Sequence, residues 1–324
     1  MRTRFKICTI IFILAFFCGC SSPRSGGGDA SGQESYRAFP PLKIPSVYTE
    51  PSERVEYALM HFWDSFLSTS QTFPCDSLRI NGVAAGDVEQ QMASFASICQ
   101  GADPTLARKA AAALFSKVEA LQTADTLSNV YDRFADLAKK YFYDPNSPFR
   151  DEDVYREYLL GLSSSPFTPE TLRPSYENDA RLCALNAVGT PAADFRFVDA
   201  SGRSHTLYGV KAPYTLLFFS NPGCEACKDI IDVLSTDLRI QYLQSEGRLA
   251  VVNVYIDEDI AAWRDYLDHY PSSWYNGYDP TYSIREDLSY HVRAIPSLYL
   301  LDERKTVLLK DAPEERLFSV LRTL

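Results

Sequence analysis

Histidine is scarce in this chain, at four of 324 residues, and no second Cys or His pair stands at ligand spacing from any other. A structural zinc site needs four such ligands, so no metal is expected, and nothing in the chain calls for another cofactor. Positive charge is in deficit as well. With 32 Lys and Arg against 42 Asp and Glu, the net charge is -10, which argues against nucleic acid or anionic lipid headgroups as the main partner. No internal repeat is present. The apolar run from Ile7 to Gly19 falls short of the roughly 20 residues of a membrane span.

What stands at the N-terminus is a leader. MRTRFK carries three basic side chains, and after the apolar run the polar SSPRSGGG begins. This order reads as a secretory signal over residues 1–19. Gly19 directly before Cys20 resembles the end of a bacterial lipoprotein signal, which implies cleavage before Cys20 and acylation of its thiol. Phe17 departs from that pattern, where Leu is usual, and cleavage without a lipid is the plainer alternative. Either way the chain leaves the cytoplasm, and disulfides are therefore permitted. Residues 20–45, rich in Ser, Gly and Pro, read as a flexible tether spanning roughly 25 to 30 Å.

About 280 residues remain, enough for two domains. With 46% hydrophobic and 23% charged residues in the whole chain, their composition is that of ordinary globular protein. Residues 46–187 read as an all-α domain of about six helices, because apolar side chains recur at helical spacing. Val55, Leu59, Phe62, Trp63 and Phe66 form one stripe; Val88, Met92, Phe95 and Cys99 another; Leu106, Ala110, Leu114 and Leu121 a third; and Leu127, Val130, Phe134, Leu137 and Tyr141 a fourth. His61 and Trp63 are read as part of this core pattern. From Val188 the pattern changes. Short β-branched or aromatic runs alternate with helical segments over residues 188–324, which implies a mixed sheet with helices on both faces.

The chemistry concentrates in FFSNPGCEACKDI, residues 218–230, where a strand runs into a helix. Cys227, Ile231, Leu234 and Leu238 share the inward stripe of that helix, leaving Cys224 at its start. A thiolate there is stabilised by free backbone N–H groups and the helix dipole. Cys224 is therefore the expected nucleophile, and Cys227 the thiol that resolves a mixed disulfide. A haem anchor would need His where Lys228 stands. A purely structural disulfide stays open from the residues alone, though so short a loop gains little from closure.

Three stretches, VGTPAADFRFVDASGRSHTL, LLFFSNPGCEACK and VRAIPSLYLLD, together resemble the thioredoxin-like envelope thiol-disulfide reductases of cytochrome maturation. The resemblance implies a thioredoxin-like α/β domain at 188–324 and a cis proline at Pro296. It also implies that the Ile295 backbone faces the dithiol and offers a substrate peptide a pairing edge. HFWDSF and KYFYDPNSPFRDEDVYREYL are similar to a domain of unknown function that precedes such domains in Gram-negative envelope lipoproteins. Three departures stand out. Phe218 lies where thioredoxins bury an Asp, Ile230 where the maturation reductases keep a Glu, and Gly223 where they usually have Trp. Glu225 and Asp229 are then the candidates for a proton relay.

The expected function is an envelope thiol-disulfide oxidoreductase, leaning to reductase or isomerase, acting on protein thiols and disulfides and fed by a membrane electron donor. A lipoprotein that uses the fold as a non-catalytic binding scaffold is the alternative. A thiol peroxidase finds no Thr ahead of a Cys in a Pro-rich loop. Cys75 and Cys99 bracket one expected helix and could be bridged or stay reduced in the core, which leaves Cys183 as a core residue near the domain junction.

Overall fold

A side-chain cap sets the start of half the α-helices among the described residues. In the computed structural model, which describes residues 36–324 as one compact unit, Asp103 accepts from the backbone N–H groups of Thr105 and Leu106, with Pro104 in the first turn. Asp151 caps the next long helix by accepting from Val154 N, satisfying donors that a helix start leaves open. The helical region runs α1 Pro51–His61, a short hairpin β1 Arg79–Ile80 and β2 Val83–Ala84, α2 Ala85–Gly101, α3 Pro104–Ala124 and α4 Val130–Ala138. A π-helical turn, Lys139–Tyr143, extends α4, and α5 Glu152–Ser164 and α6 Arg173–Cys183 complete it. Its core is strongly aromatic. Trp63 meets Phe134 edge-on at 5.0 Å and Phe95 at 5.9 Å, geometries favoured by the ring quadrupoles.

Several expectations need correction. α1 stops at His61, and Trp63 and Phe66 reach the core from the turns that follow it. Val55 and Leu127 are exposed, Leu127 because α4 starts only at Val130. The expected tether lies outside the described residues up to Ser35, but from Tyr36 onward the chain is docked. Phe39 stacks on Phe66 at 5.1 Å, and the Arg37 guanidinium sits 4.0 Å from the Phe73 ring centre. An aromatic and a cation–π contact outweigh the Pro-rich composition there. Cys75 and Cys99 are both free thiols.

The second half is a mixed sheet with flanking helices. It contains β3 Arg196–Asp199, β4 Ser204–Thr206, β5 Tyr214–Phe219, α7 Glu225–Thr236, α8 Leu238–Ser245, β6 Leu249–Tyr255 and α9 Ile260–Asp265. β7 Tyr275–Tyr278, β8 Ser297–Asp302, β9 Val307–Leu309 and α10 Glu314–Thr323 follow. The strand order is β4-β3-β7-β6-β5-β8-β9. Central β5 pairs parallel with β6 and antiparallel with β8. Its alternate residues feed two cores. Leu216 and Phe218 pack with α7, α8 and α10, whereas Leu217 and Phe219 pack with Phe195, Ile284 and Tyr290 from irregular segments. The second face is thus closed by loops where helices were expected. Leu238 is exposed, since α7 ends at Thr236 and Asp237 starts a new helix by accepting from Arg239 N and Ile240 N.

A buried ionic cluster joins the two halves. Glu152, at the start of α5, receives Arg293 Nε at 2.6 Å and Lys310 Nζ at 2.9 Å, with His291 at 3.2 Å. Arg293 also reaches Asp311 at 3.1 Å, and Arg150 donates to the Asp311 and Ala312 carbonyls. Burial pushes the Glu152 carboxyl up, but His291, Lys310 and Arg293 outweigh it and hold the pKa at about 2. A folded-state value below the ordinary carboxylate range means that this contribution to stability is complete above about pH 4.3. It fades as pH falls through about 2. Asp153 and Asp311, raised mainly by burial, act in the opposite sense and are kept when Glu152 is changed. Glu152→Gln is expected to cost about 3 kcal/mol near pH 7. In urea titrations the difference from wild type should close toward pH 2, and a pH-independent difference would refute this account.

Candidate active site

β5 carries the chain to the centre of the sheet edge, and its last residue, Phe219, pairs with Ser297 at the start of β8. The turn Asn221–Gly223 then reverses the chain into α7. Cys224 is the N-cap of that helix, and its Sγ accepts from Cys227 N at 3.1 Å. The two cysteines form a disulfide, with their Cα atoms 5.2 Å apart. Cys224 is half-buried and Cys227 is 1% exposed. The difference follows from helix geometry. One turn into α7, Cys227 lies on the stripe that packs against Phe218, Ile231 and Leu234.

The register of β8 places a second element beside this pair. The Ile295–Pro296 peptide, directly before β8, is cis. Ile295 and Cys224 both pack at the edge of the core cluster that contains Cys227. Ala226 and Ile230 of α7 line one cleft together with Ile295 and Pro296. The residues after Pro296 are held by the interdomain ionic cluster, because Ser297 Oγ donates to Asp311 at 2.8 Å.

Glu225 and Asp229 are exposed on α7 and take part in no side-chain hydrogen bond or ion pair among the described residues. Cys20 lies outside the described residues. Phe218 and Ile230 are fully buried apolar side chains. Sequence reasoning missed the polar groups on this face of the sheet. Asn253 is the register partner of Phe218. Ser220 Oγ donates to Asn253 Oδ1 at 2.5 Å and lies 3.3 Å from the Tyr270 hydroxyl, while Asn253 Nδ2 donates to Asn276 Oδ1 at 3.1 Å. Burial pushes the Tyr270 phenol further up, so the network is uncharged at neutral pH. An Asn inside the run VVNVYI was the available signal.

Glu152, Cys183 and His291 bring potential metal-ligand atoms within 4.8 Å of one another. The group suits a cation poorly. Lys310 and Arg293 already neutralise Glu152, and burial, with Glu152 next, pushes the Cys183 thiol up to about 12.

A solved thioredoxin-like protein from Bacteroides caccae is 33% identical over 89% of this chain and 99% of its own, with a TM-score of 0.75. This chain belongs to the thioredoxin-like proteins. Residues 20–176 match a family described as a domain of unknown function, DUF5106. The C-terminal domain of an uncharacterized protein from Bacteroides fragilis is 41% identical over 43% of this chain and 99% of its own, with a TM-score of 0.42. The thioredoxin domain of a thiol-disulfide oxidoreductase from Bacteroides vulgatus is 21% identical over 42% of this chain and 96% of its own, with a TM-score of 0.38. No curated protein is matched.

In this thioredoxin-like protein the turn before the dithiol depends on Gly223. Its φ of +71° lies in the left-handed region, yet an added Cβ there would meet no atom within 4 Å. Any cost of a side chain therefore comes from the backbone, about 1 kcal/mol for a single residue. Gly223→Ala should lower stability by that amount in urea unfolding. A loss above about 3 kcal/mol would show that packing is also involved.

Proposed function

We propose that this protein is a thiol-disulfide oxidoreductase of the cell envelope that works through Cys224 and Cys227. The observation that carries the reading is the disulfide at the N-terminus of α7, half-open at Cys224 and closed at Cys227, beside the Ile295–Pro296 turn. In the reducing direction, the Cys224 thiolate attacks one sulfur of a client disulfide, and the other client sulfur leaves as a thiolate and takes a proton. Cys227, losing its own proton, then attacks Cys224 Sγ. That step expels the first client sulfur and re-forms the disulfide, so two electrons pass to the client. The Ile295 backbone offers the client an extended pairing edge. A membrane electron donor would restore the dithiol.

The lean to a reductase or isomerase rests on Ile295 before Pro296 and on the reductase-like entry hairpin, and the charges at the helix start agree with it. The helix start favours the thiolate, while Glu225 beside it opposes. The two influences oppose each other at Cys224, which suits a reductase or isomerase better than a strong oxidant. Glu225 and Asp229 are the exposed acids available to pass protons. The leader over residues 1–19 and Cys20 support placement by an N-terminal lipid facing the periplasm, with residues 46–187 as a separate domain that helps select partners.

Insulin reduction with dithiothreitol tests the reading. The protein should accelerate precipitation of the insulin B chain, Cys224→Ser should abolish the acceleration, and Cys227→Ser should accumulate mixed disulfides with envelope proteins. Wild-type protein no faster than reductant alone would instead support a binding scaffold.

A further inference from the structure

The cleft beside the dithiol, about 340 Å³, is built by both halves of the chain. Ile230, Ile295, Pro296 and Leu298 give it an apolar floor, and the turn Pro145–Pro148 of the helical region supplies a wall. That wall is fixed. Ser147 Oγ donates to the Tyr141 carbonyl at 2.6 Å, and Asn146 N donates to the Asp144 carboxylate at 2.8 Å. Arg150, the lone basic group on the cleft, has its guanidinium turned to the Asp311 and Ala312 carbonyls.

The remaining charge is negative. Glu314 and Glu315 line the cleft and both are exposed; neither is within ion-pair distance of a cation among the described residues, although the Arg150 charge acts on Glu314 from further off. Acids in the first turn of α10 are favoured by the helix dipole, which accounts for their being acidic. It does not account for both facing a cleft that adjoins a reactive pair and has no free cation. Glu225, next to Cys224, adds charge of the same sign.

We propose that this cleft receives the segment flanking the reacting cysteine of a client protein, and that it selects segments with Lys or Arg beside that cysteine. The proposal rests on the dithiol reading above. In it, the apolar floor seats the client backbone and stems of its side chains, while the cationic head meets Glu314 and Glu315. The helical region would then act directly on client choice.

The test uses the protein reduced with dithiothreitol and freed of it. Three cysteine peptides, flanked by Lys, Ser or Glu, are supplied as mixed disulfides with 5-thio-2-nitrobenzoate. Two electrons pass from the dithiol to each peptide disulfide, closing Cys224–Cys227 and releasing the peptide thiol and the coloured thiolate. At low salt the Lys peptide should react about five- to tenfold faster than the Glu peptide, the range expected of two exposed charge contacts. The ratio should shrink in about 0.5 M salt and fall below about twofold in Glu314→Gln/Glu315→Gln. Asn146→Trp, which fills the cleft from the helical side, should slow the Lys peptide severalfold relative to 2-hydroxyethyl disulfide. Equal rates for the three peptides, with 2-hydroxyethyl disulfide still reduced by wild type, would overturn the cleft assignment and leave the dithiol reading standing. A preference that survives Glu314→Gln/Glu315→Gln would also overturn it. If 2-hydroxyethyl disulfide is not reduced either, both proposals fall together.

Discussion

The arrangement depends on one buried carboxylate. Glu152 belongs to the helical region, but its cationic partners, Arg293 and Lys310, flank β8 and β9 of the sheet. Placing charges in a protein interior costs several kcal/mol per ion unless each is paired and hydrogen-bonded. Here the pairing is shared across two halves. Neither half could bury its members alone without leaving charges uncompensated. The same cluster holds the segment around Pro296, through Arg293 three residues before it and through Asp311 on Ser297 just after it. The position of the Ile295 backbone relative to the dithiol is thereby tied to the helical region.

This explains why the cleft lies where it does. The chain between the π-helical turn and α5 must approach the sheet for Arg150 and Glu152 to reach their partners, and Pro145–Pro148 travels with them. Tyr143 is drawn in too, with its ring 4.2 Å from the Arg293 guanidinium and its carbonyl accepting from the same group. A wall beside the active-site helix is thus a geometric consequence of the ion cluster. The acids of α10 complete the rim because Ala312, just ahead of that helix, pairs back to Leu298 in β8.

Much of this was legible from residue pattern. The change from helical to alternating periodicity near Val188, the strand-to-helix turn at Cys224 and the helix stripes follow from short-range rules, and the thioredoxin-like fold followed from motifs that span only a few residues. The misses have physical causes. β7 has little signature in the sequence because YNGY is short and carries Gly277, whose added Cβ would lie 2.6 Å from Phe197. A strand built around so close an approach has no β-branched signature. Leu127 precedes the start of α4, and Leu238 opens a new helix capped by Asp237, breaks that periodicity does not show. The docking of Phe39 and the Glu152 cluster are contacts between segments far apart in sequence, and composition does not encode which distant charge will meet which.

The buried surroundings of Cys227 place a final constraint on the proposed exchange. Thioredoxin-like relatives of the resembled type keep an ionisable carboxyl near the second sulfur, whereas here Phe218 and Ile230 close that space with apolar atoms. Asn253, the register partner of Phe218, is occupied by Ser220 and Asn276 and carries no charge. A proton leaving Cys227 would therefore have to travel past Cys224 to water or to the exposed acids of α7. The burial of Cys227 therefore bears on the resolution of the mixed disulfide, the step in which its sulfur must lose a proton. The rim and the core thus act on different steps of the proposed exchange: the cleft on capture of the client, the apolar surroundings of Cys227 on its release.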